Sequence, residues 1–169
     1  MNITLIGMPG SGKSFIGKKL ADQLGFSLVE ADKIIEQEFN LPLQQVVEKL
    51  GSDVFLDKEA ETVIKSTDGR NNFVVSPGGS IVYRLNAINH LKKISKVFYL
   101  EVSLKVLKGR IGDVPRGIVN AENKTFADLY AERAPLYKKF ADYVVNGDLD
   151  SETVIEKILL ATEPSASVV

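Results

Sequence analysis

The chain has 169 residues, of which 44% are hydrophobic, and its 21 basic and 22 acidic side chains give a formal net charge of −1. This composition excludes a fibrous or broadly disordered chain, the lack of cysteine excludes disulfides and thiolate metal sites, and the balanced charge excludes a general nucleic-acid-binding surface. Because no apolar run is long enough to span a membrane and no signal peptide opens the chain, we expect a cytoplasmic, single-domain enzyme.

Short apolar runs alternate along the chain with segments in which apolar side chains recur at helical spacing. In chain order the patterns predict a strand at Asn2–Ile6, a helix between Gly12 and Gly25, a strand at Ser27–Val29, about three short helices within 33–66, a strand at Phe73–Ser76, a helix at Leu85–Lys93, a strand at Lys96–Leu100, a helix from Ser103 to Arg110, a loop at 112–124, a helix at Phe126–Phe140, a strand at Tyr143–Val145 and a helix at Thr153–Ala161. This alternation predicts an α/β fold in which helices cover both faces of a parallel sheet. Ligands of such sheets bind at the carboxyl ends of the strands.

The loop after the first predicted strand carries a phosphate-binding motif. Residues 7–14, Gly-Met-Pro-Gly-Ser-Gly-Lys-Ser, match the pattern G-x-x-x-x-G-K-[ST] at every position. Lys13 is placed to contact the β- and γ-phosphates, and the hydroxyl of Ser14 is a ligand type that Mg²⁺ prefers. The alternative is a glycine-rich turn that carries Lys-Ser by chance. The motif predicts an ATP site formed by Gly10, Ser11, Gly12, Lys13, Ser14 and Phe15.

Further motifs follow in an order that resembles the shikimate kinase family. Over about residues 2–160 the chain carries GMPGSGKS, EAD, G-x-x-x-F-x-x-x-E at Gly51–Glu59, SPGG at 76–79, PRGIV at 115–119 and RAPLY at 133–137. The resemblance implies transfer of the γ-phosphoryl group of ATP to the 3-hydroxyl of shikimate, with Mg²⁺ as cofactor. It also implies a P-loop kinase fold with three α/β/α layers and a five-stranded parallel sheet in the order 2-3-1-4-5.

The same resemblance implies a division of the chain into functional parts. Residues 33–66 correspond to the acceptor-binding lobe and residues 112–124 to the lid of one kinase domain that spans 1–162. The small, polar residues at 163–169 predict a disordered tail. We expect a monomer that binds ATP and a small acceptor and neither nucleic acid nor membrane.

Four residues after the second and third predicted strands correspond to family positions around the acceptor. Asp32 corresponds to an acid that binds acceptor hydroxyls and acts as base, although it is equally suited to cap the following helix. Glu30 corresponds to an aspartate that lies near Mg²⁺ through water. Gly78 and Gly79 correspond to glycines whose amides approach the acceptor, and a plain turn is the alternative there. The third glycine of that family motif is Ser80 here.

Three arginines correspond to family residues that contact the reactants. Arg116 corresponds to a lid arginine that stabilises the transferring phosphate, so Lys13, Asp32 and Arg116 are the predicted catalytic residues. Arg133 corresponds to an arginine that binds the acceptor carboxylate, and Arg110 to one that stacks over adenine. A solvated loop charge is the alternative for Arg116, and a cation in the last turn of a helix is the alternative for Arg110.

One position departs from the family pattern. Where the family has an arginine that binds the acceptor carboxylate beside Arg133, this chain has Leu56. Loss of one charge-assisted hydrogen bond costs about 1.5–3 kcal/mol, or roughly 10- to 150-fold in affinity. Lys58 projects from a different helix face and compensates only if the register shifts. Two alternatives therefore stay open: a kinase of another small hydroxylated acceptor (a sugar acid, polyol or nucleotide), and a nucleotide-binding module without phosphotransfer.

Overall fold

The structure, a computed structural model, describes residues 1–111, 118–119 and 124–163. Strands and helices alternate in these residues in the predicted order: β1 (Asn2–Ile6), α1 (Lys13–Leu24), β2 (Ser27–Glu30), α2 (Ala31–Phe39), α3 (Leu43–Leu50), α4 (Ser52–Thr67), β3 (Phe73–Ser76), a 3₁₀ turn (Ile81–Tyr83), α5 (Leu85–Ile94), β4 (Lys96–Glu101), α6 (Leu104–Ile111), α7 (Phe126–Phe140), β5 (Tyr143–Asn146) and α8 (Ser151–Thr162). In this part of the chain, no helix has the length and apolar character needed to cross a membrane.

The five strands form one parallel sheet with β1 at its centre. Their order is β2-β3-β1-β4-β5, and every neighbouring pair is parallel. This confirms the predicted α/β class and strand order. Because parallel neighbours need crossover connections, the helices lie on the two faces of the sheet and complete three layers. The carboxyl ends of β1, β2 and β3 meet at one edge, where the loop of residues 7–14 and the loop after β3 come together.

Side chains that alternate along the strands form a separate core on each face. Ile3 and Leu5 belong to the core that includes α1 and α8, whereas Ile6 belongs to the core that includes α4, α5 and α7. This period of two is what a strand buried on both faces requires. The double burial fixes the register of β1, and with it the position of the loop that follows.

The predicted acceptor lobe is helical, and it has a small core of its own. Helices α2, α3 and α4 cover residues 31–67, apart from short connections, and their buried side chains include Ile35, Val46 and Leu56. Val119 completes this third core. Most of the predicted lid at 112–124 and of the predicted tail at 163–169 lies outside the described residues.

Candidate active site

The sequence-predicted site residues converge on one cavity at the carboxyl ends of the strands. The cavity has a volume of about 390 Å³ and lies between the loop after β1, the start of α2, the loop after β3, and α7. Ser11 and Glu30 do not line it, and Arg116 lies outside the described residues. The other predicted residues all line it: Gly10, Gly12, Lys13, Ser14, Phe15, Asp32, Gly78, Gly79, Arg110 and Arg133.

The loop between β1 and α1 offers hydrogen-bond donors that the described residues do not use. Helix α1 begins after Gly12, whose φ of 94° lies in the left-handed region, and no side chain caps this helix end. The hydroxyl of Ser11 is buried and has no hydrogen-bond partner among the described residues. Both features fit the phosphates of ATP, because an uncapped helix N-terminus attracts anions. The exposed Ser14, at the start of the same helix, fits the preference of Mg²⁺ for oxygen ligands.

Lys13 is buried in the first turn of α1 and folds back over the same loop. Its Nζ donates hydrogen bonds to the carbonyl oxygens of Gly7 at 2.9 Å and Met8 at 3.1 Å. Burial lowers the pKa of Lys13 to about 8, and the carboxylates of Asp32 and Glu59 counteract part of this effect. Below that pH the ammonium is charged but poorly solvated. It therefore interacts strongly with a phosphate group that enters the cavity.

The structure contradicts the alternative in which Asp32 caps a helix. Strand β2 runs directly into α2, so Glu30 is the N-cap, the helix begins at Ala31, and Asp32 lies within the first turn. Its carboxylate lines the cavity. Burial raises the pKa of Asp32, and the positive charge of Lys13 opposes this shift. A carboxylate with a raised pKa is a better proton acceptor than an ordinary aspartate, which suits it to accept the proton of an alcohol.

Gly78 is required by the lack of space around it. A Cβ atom at this position would lie 2.2 Å from Oε1 of Glu59 and 3.0 Å from Oδ1 of Asp32. Glu59 is fully buried: its Oε2 accepts a hydrogen bond from Ser80 Oγ at 2.7 Å, and its Oε1 has no partner among the described residues. The loop after β3 is thus held against α4 by a buried carboxyl group, which explains its glycine better than a plain turn does.

Replacing Gly78 with alanine should displace this loop. The added methyl group overlaps the carboxyl of Glu59, so we expect the free energy of unfolding to fall by about 1–3 kcal/mol and kcat/KM for the acceptor to fall by roughly tenfold or more. Denaturant unfolding and steady-state kinetics measure the two effects. Gly109→Ala is the matched control, because a Cβ there meets nothing within 4 Å. If Gly78→Ala and Gly109→Ala had the same free energy of unfolding and the same kcat/KM, the close contact of Gly78 with Glu59 would be contradicted.

The charge of Glu59 should make stability depend on pH. Burial, reinforced by the charge of Asp32, raises the pKa of Glu59 from 4.5 to about 7. Between these values the folded protein holds a proton that the unfolded chain releases, so the free energy of unfolding falls as pH rises through this window. Glu59→Gln removes the titration. Between about pH 5 and about pH 8, we expect the free energy of unfolding of Glu59→Gln to fall by about 2–3 kcal/mol less than that of the unsubstituted protein. Urea unfolding at the two pH values measures this difference. The same fall in both proteins would contradict the raised pKa of Glu59.

Arg133 is a buried cation in the wall of the cavity. Its side chain is 1% exposed, its Nε donates to the hydroxyl of Tyr83 at 3.2 Å, and its Nη2 donates to the carbonyl oxygen of Val119 at 2.5 Å. In the part of the chain that the structure describes, no carboxylate forms an ion pair with it. A guanidinium stays charged at ordinary pH, so its burial without a counter-ion is unfavourable until an anion binds. Arg133 therefore marks a site for an anionic group.

Leu56 and Lys58 place no second cation beside Arg133. Leu56 is 2% exposed and belongs to the third core. The Nζ of Lys58 donates to Oε1 of Glu38 at 2.6 Å, and Lys58 lines a separate groove between α2 and α4. Lys58 thus points away from the cavity, as its position on a different helix face predicted.

A second cavity, of about 270 Å³, adjoins the first and extends the candidate nucleotide site. The two cavities share lining residues of the phosphate loop together with Phe15 and Arg110. The Nη1 atom of Arg110 lies 3.4 Å from the carbonyl oxygen of Ser11, and its Nη2 lies 3.5 Å from that of Gly147. Arg110 thus connects the phosphate loop with the segment after β5, both of which line this cavity, and the resemblance places Arg110 over adenine.

The predicted metal ligands are only partly assembled. Ser14 lines the cavity, but Glu30 forms an ion pair with Lys33 and does not line it. Within the described residues, no group of three or more acidic or histidine side chains is arranged to hold a metal ion. A magnesium ion that is bound mainly by phosphates and water requires no such group. The role of Glu30 stays a prediction.

Comparisons with known proteins agree with this geometry. A family model described as shikimate kinase matches residues 9–163. The shikimate kinase of Thermodesulfovibrio yellowstonii is 35% identical over 162 residues, which cover 94% of this chain and 92% of that protein. The chain belongs to the shikimate kinase family. As a family member it is a kinase and binds ATP, so the alternative of a nucleotide-binding module without phosphotransfer is set aside.

Two solved shikimate kinases share the fold of this family member. The structure from Aquifex aeolicus has a TM-score of 0.84 at 30% identity, with 99% of each chain covered. The structure from Acinetobacter baumannii, in complex with shikimate, also has a TM-score of 0.84, at 27% identity, and the match covers 95% of this chain and 91% of that one. The similarity spans the sheet, the helical lobe and α7, and is not confined to the phosphate loop.

Two residues around this shikimate kinase family site, Glu59 and Tyr83, are not among the site residues predicted from the sequence. Glu59 had a detectable signal, because the spacing between Phe55 and Glu59 places both on one face of a helix. Tyr83 had none, since its hydrogen bond to Arg133 joins residues that are 50 positions apart. Contacts of that kind depend on packing between elements.

Proposed function

We propose that the chain transfers the γ-phosphoryl group of ATP to the 3-hydroxyl of shikimate. The observation that carries this proposal is Arg133, a buried cation without a carboxylate partner among the described residues, in the same cavity as Lys13 and Asp32. A carboxylated alcohol satisfies both ends of such a cavity. Its carboxylate pairs with the guanidinium, and its hydroxyl meets the carboxylate of Asp32.

The residues divide the transfer between positioning and charge stabilisation. Asp32 accepts the proton of the acceptor hydroxyl while the oxygen of that hydroxyl bonds to the γ-phosphorus. The bond between the γ-phosphorus and the bridging oxygen of the β-phosphate breaks, and ADP leaves. Lys13 stabilises the charge that develops on the phosphates. Arg116 is proposed to contact the transferring group from the lid at 112–124, which closes over the reactants and excludes water.

The remaining groups hold the two reactants in place. Gly78 and Gly79, in the loop after β3, face the acceptor beside the proposed acceptor-binding lobe at 33–66, and Arg110 covers the adenine. Ser14 and, through water, Glu30 would hold Mg²⁺, which would neutralise phosphate charge. We propose that a monomer suffices, since one chain supplies every described part of the site, and that the single domain spans 1–162. The cytoplasmic location stays a prediction.

The direct test is an assay of ADP formation by the purified protein with ATP, Mg²⁺ and shikimate. We expect shikimate-dependent ADP release well above the hydrolysis background, together with a phosphorylated product that mass spectrometry detects. Lack of any acceptor dependence at millimolar shikimate would overturn the proposal. Without Mg²⁺ the rate should fall to background, and addition of the ion should restore it.

A different acceptor is the second candidate, favoured by the apolar Leu56 in place of a cation. With one arginine near the acceptor among the described residues, the site has less charge with which to discriminate carboxylates from neutral alcohols. Polyols, sugar acids and nucleoside monophosphates should therefore be compared with shikimate as acceptors at equal concentration. If shikimate is the one acceptor in this panel that is phosphorylated, the second candidate is removed. If another acceptor has a larger kcat/KM than shikimate, the second candidate replaces shikimate as the proposed acceptor.

A further inference from the structure

Tyr83 contacts Arg133 in two ways. Arg133 Nε donates to the hydroxyl of Tyr83 at 3.2 Å, and Arg133 Cζ lies 5.2 Å from the centroid of the Tyr83 ring. The hydrogen bond fixes the Nε edge of the guanidinium, and the ring contact restricts the face of the same planar group. A third contact, from Nη2 to the carbonyl oxygen of Val119, uses another N–H. These contacts use Nε and one N–H of Nη2, and Arg133 lines the cavity.

The hydroxyl of Tyr83 is itself held in one orientation. It donates a hydrogen bond to Oε1 of Glu132, and Oε2 of Glu132 accepts a hydrogen bond from Lys124 Nζ at 2.6 Å. These bonds lower the pKa of Glu132, so its carboxylate is charged at neutral pH. A hydroxyl has one proton and two lone pairs, so donation to Glu132 leaves a lone pair to accept from Arg133. Lys124, Glu132, Tyr83 and Arg133 thus form one row of hydrogen-bonded side chains, the Tyr83 relay.

The relay matters because Arg133 is the cation in the described part of the cavity wall that is placed for the acceptor carboxylate, whereas Asp32 is placed for its hydroxyl. Lys13 and Arg110 are bonded to backbone carbonyls of the phosphate loop, and Leu56 contributes no charge. Within the described residues, Arg133 is then the arginine that is left to bind the acceptor's anionic group. Bidentate binding of a carboxylate requires the plane of the guanidinium to be set correctly, and a free arginine side chain samples many rotamers.

We propose that Tyr83 is a positioning residue that sets Arg133 in the orientation that binds the acceptor carboxylate. The inference rests on the proposed function, since it assigns Tyr83 an effect on the same acceptor. Tyr83 does not line the cavity, so it acts through Arg133 and not by touching the substrate. Glu132 and Lys124 act one and two steps further away, by orienting the tyrosine hydroxyl.

The test is Tyr83→Phe, which keeps the ring and removes the hydroxyl. We expect KM for shikimate to rise by about tenfold, because the Nε bond to a charged group is lost and the guanidinium is no longer fixed. We expect kcat and KM for ATP to stay within about twofold. Tyr143→Phe is the matched control: Tyr143 lies on the edge strand β5, where its ring stacks on Phe98. It should change none of the three constants.

Two results would overturn the inference. One is an unchanged KM for shikimate in Tyr83→Phe. The other is a fall in kcat and a rise in KM for ATP as large as the change in KM for shikimate, which would mean a structural role. Glu132→Gln provides an independent check and should change KM for shikimate in the same direction by a smaller factor. If the unsubstituted protein shows no shikimate-dependent turnover, the proposed function fails, and this inference fails with it.

Discussion

Replacing Lys13 with alanine should lower kcat by about 10²–10³-fold or more, the usual effect of removing a preorganised charge from a transition state. The side chain is buried, its Nζ lies within the phosphate loop, and its charge is poorly compensated by solvent. These properties make it most effective when phosphate charge develops nearby. Steady-state kinetics at saturating ATP and acceptor measure the effect.

The same substitution should leave the protein folded. The lowered pKa of Lys13 means that the fold buries the charged form, which is present below about pH 8, at a cost in stability, and removal of the side chain relieves that cost. The free energy of unfolding should therefore fall by no more than about 1 kcal/mol. Lys18→Ala, on the exposed side of α1, is the matched control and should retain full activity. Activity of Lys13→Ala near that of the control would contradict its placement at the phosphates.

Replacing Arg133 with methionine should raise KM for shikimate by at least about 30-fold, because a buried cation that pairs with a ligand carboxylate is lost. KM for ATP should change much less, since the hydrogen bonds of Arg133 in the described chain go to Tyr83 and Val119 and not to the phosphate loop. Methionine keeps most of the volume of the side chain and removes the charge. Initial rates measured as a function of each substrate in turn separate the two effects.

The stability of Arg133→Met provides an independent readout. A buried guanidinium without a carboxylate partner destabilises the ligand-free fold, so its replacement by an apolar side chain should leave the free energy of unfolding unchanged or raise it. Arg70→Met is the control for the loss of an exposed arginine far from the cavity, where the guanidinium donates to the carbonyl oxygen of Ser66 at 2.8 Å and to Ser27 Oγ at 3.3 Å. A marked loss of stability in Arg133→Met with unchanged KM would make Arg133 a structural residue.

Most of the fold was predictable from local patterns. The run Asn2–Ile6 and the helix that ends before Gly25 were placed correctly, because strand and helix periodicity and the glycine stop are properties of neighbouring residues. The sheet order followed from the resemblance. The start of α2 was misjudged by two residues, because β2 and α2 join without a loop and no turn residue marks the boundary.

The sequence by itself determined the phosphate loop, the order of the elements and the family, since a contiguous motif and a series of short motifs carry that information. Only the tertiary structure decided that Asp32, Gly78 and Glu59 lie in close contact and that Arg133 donates a hydrogen bond to the hydroxyl of Tyr83. Side chains far apart in the chain become neighbours through the packing of helices against the sheet, and no local pattern specifies which atoms then lie within hydrogen-bond distance.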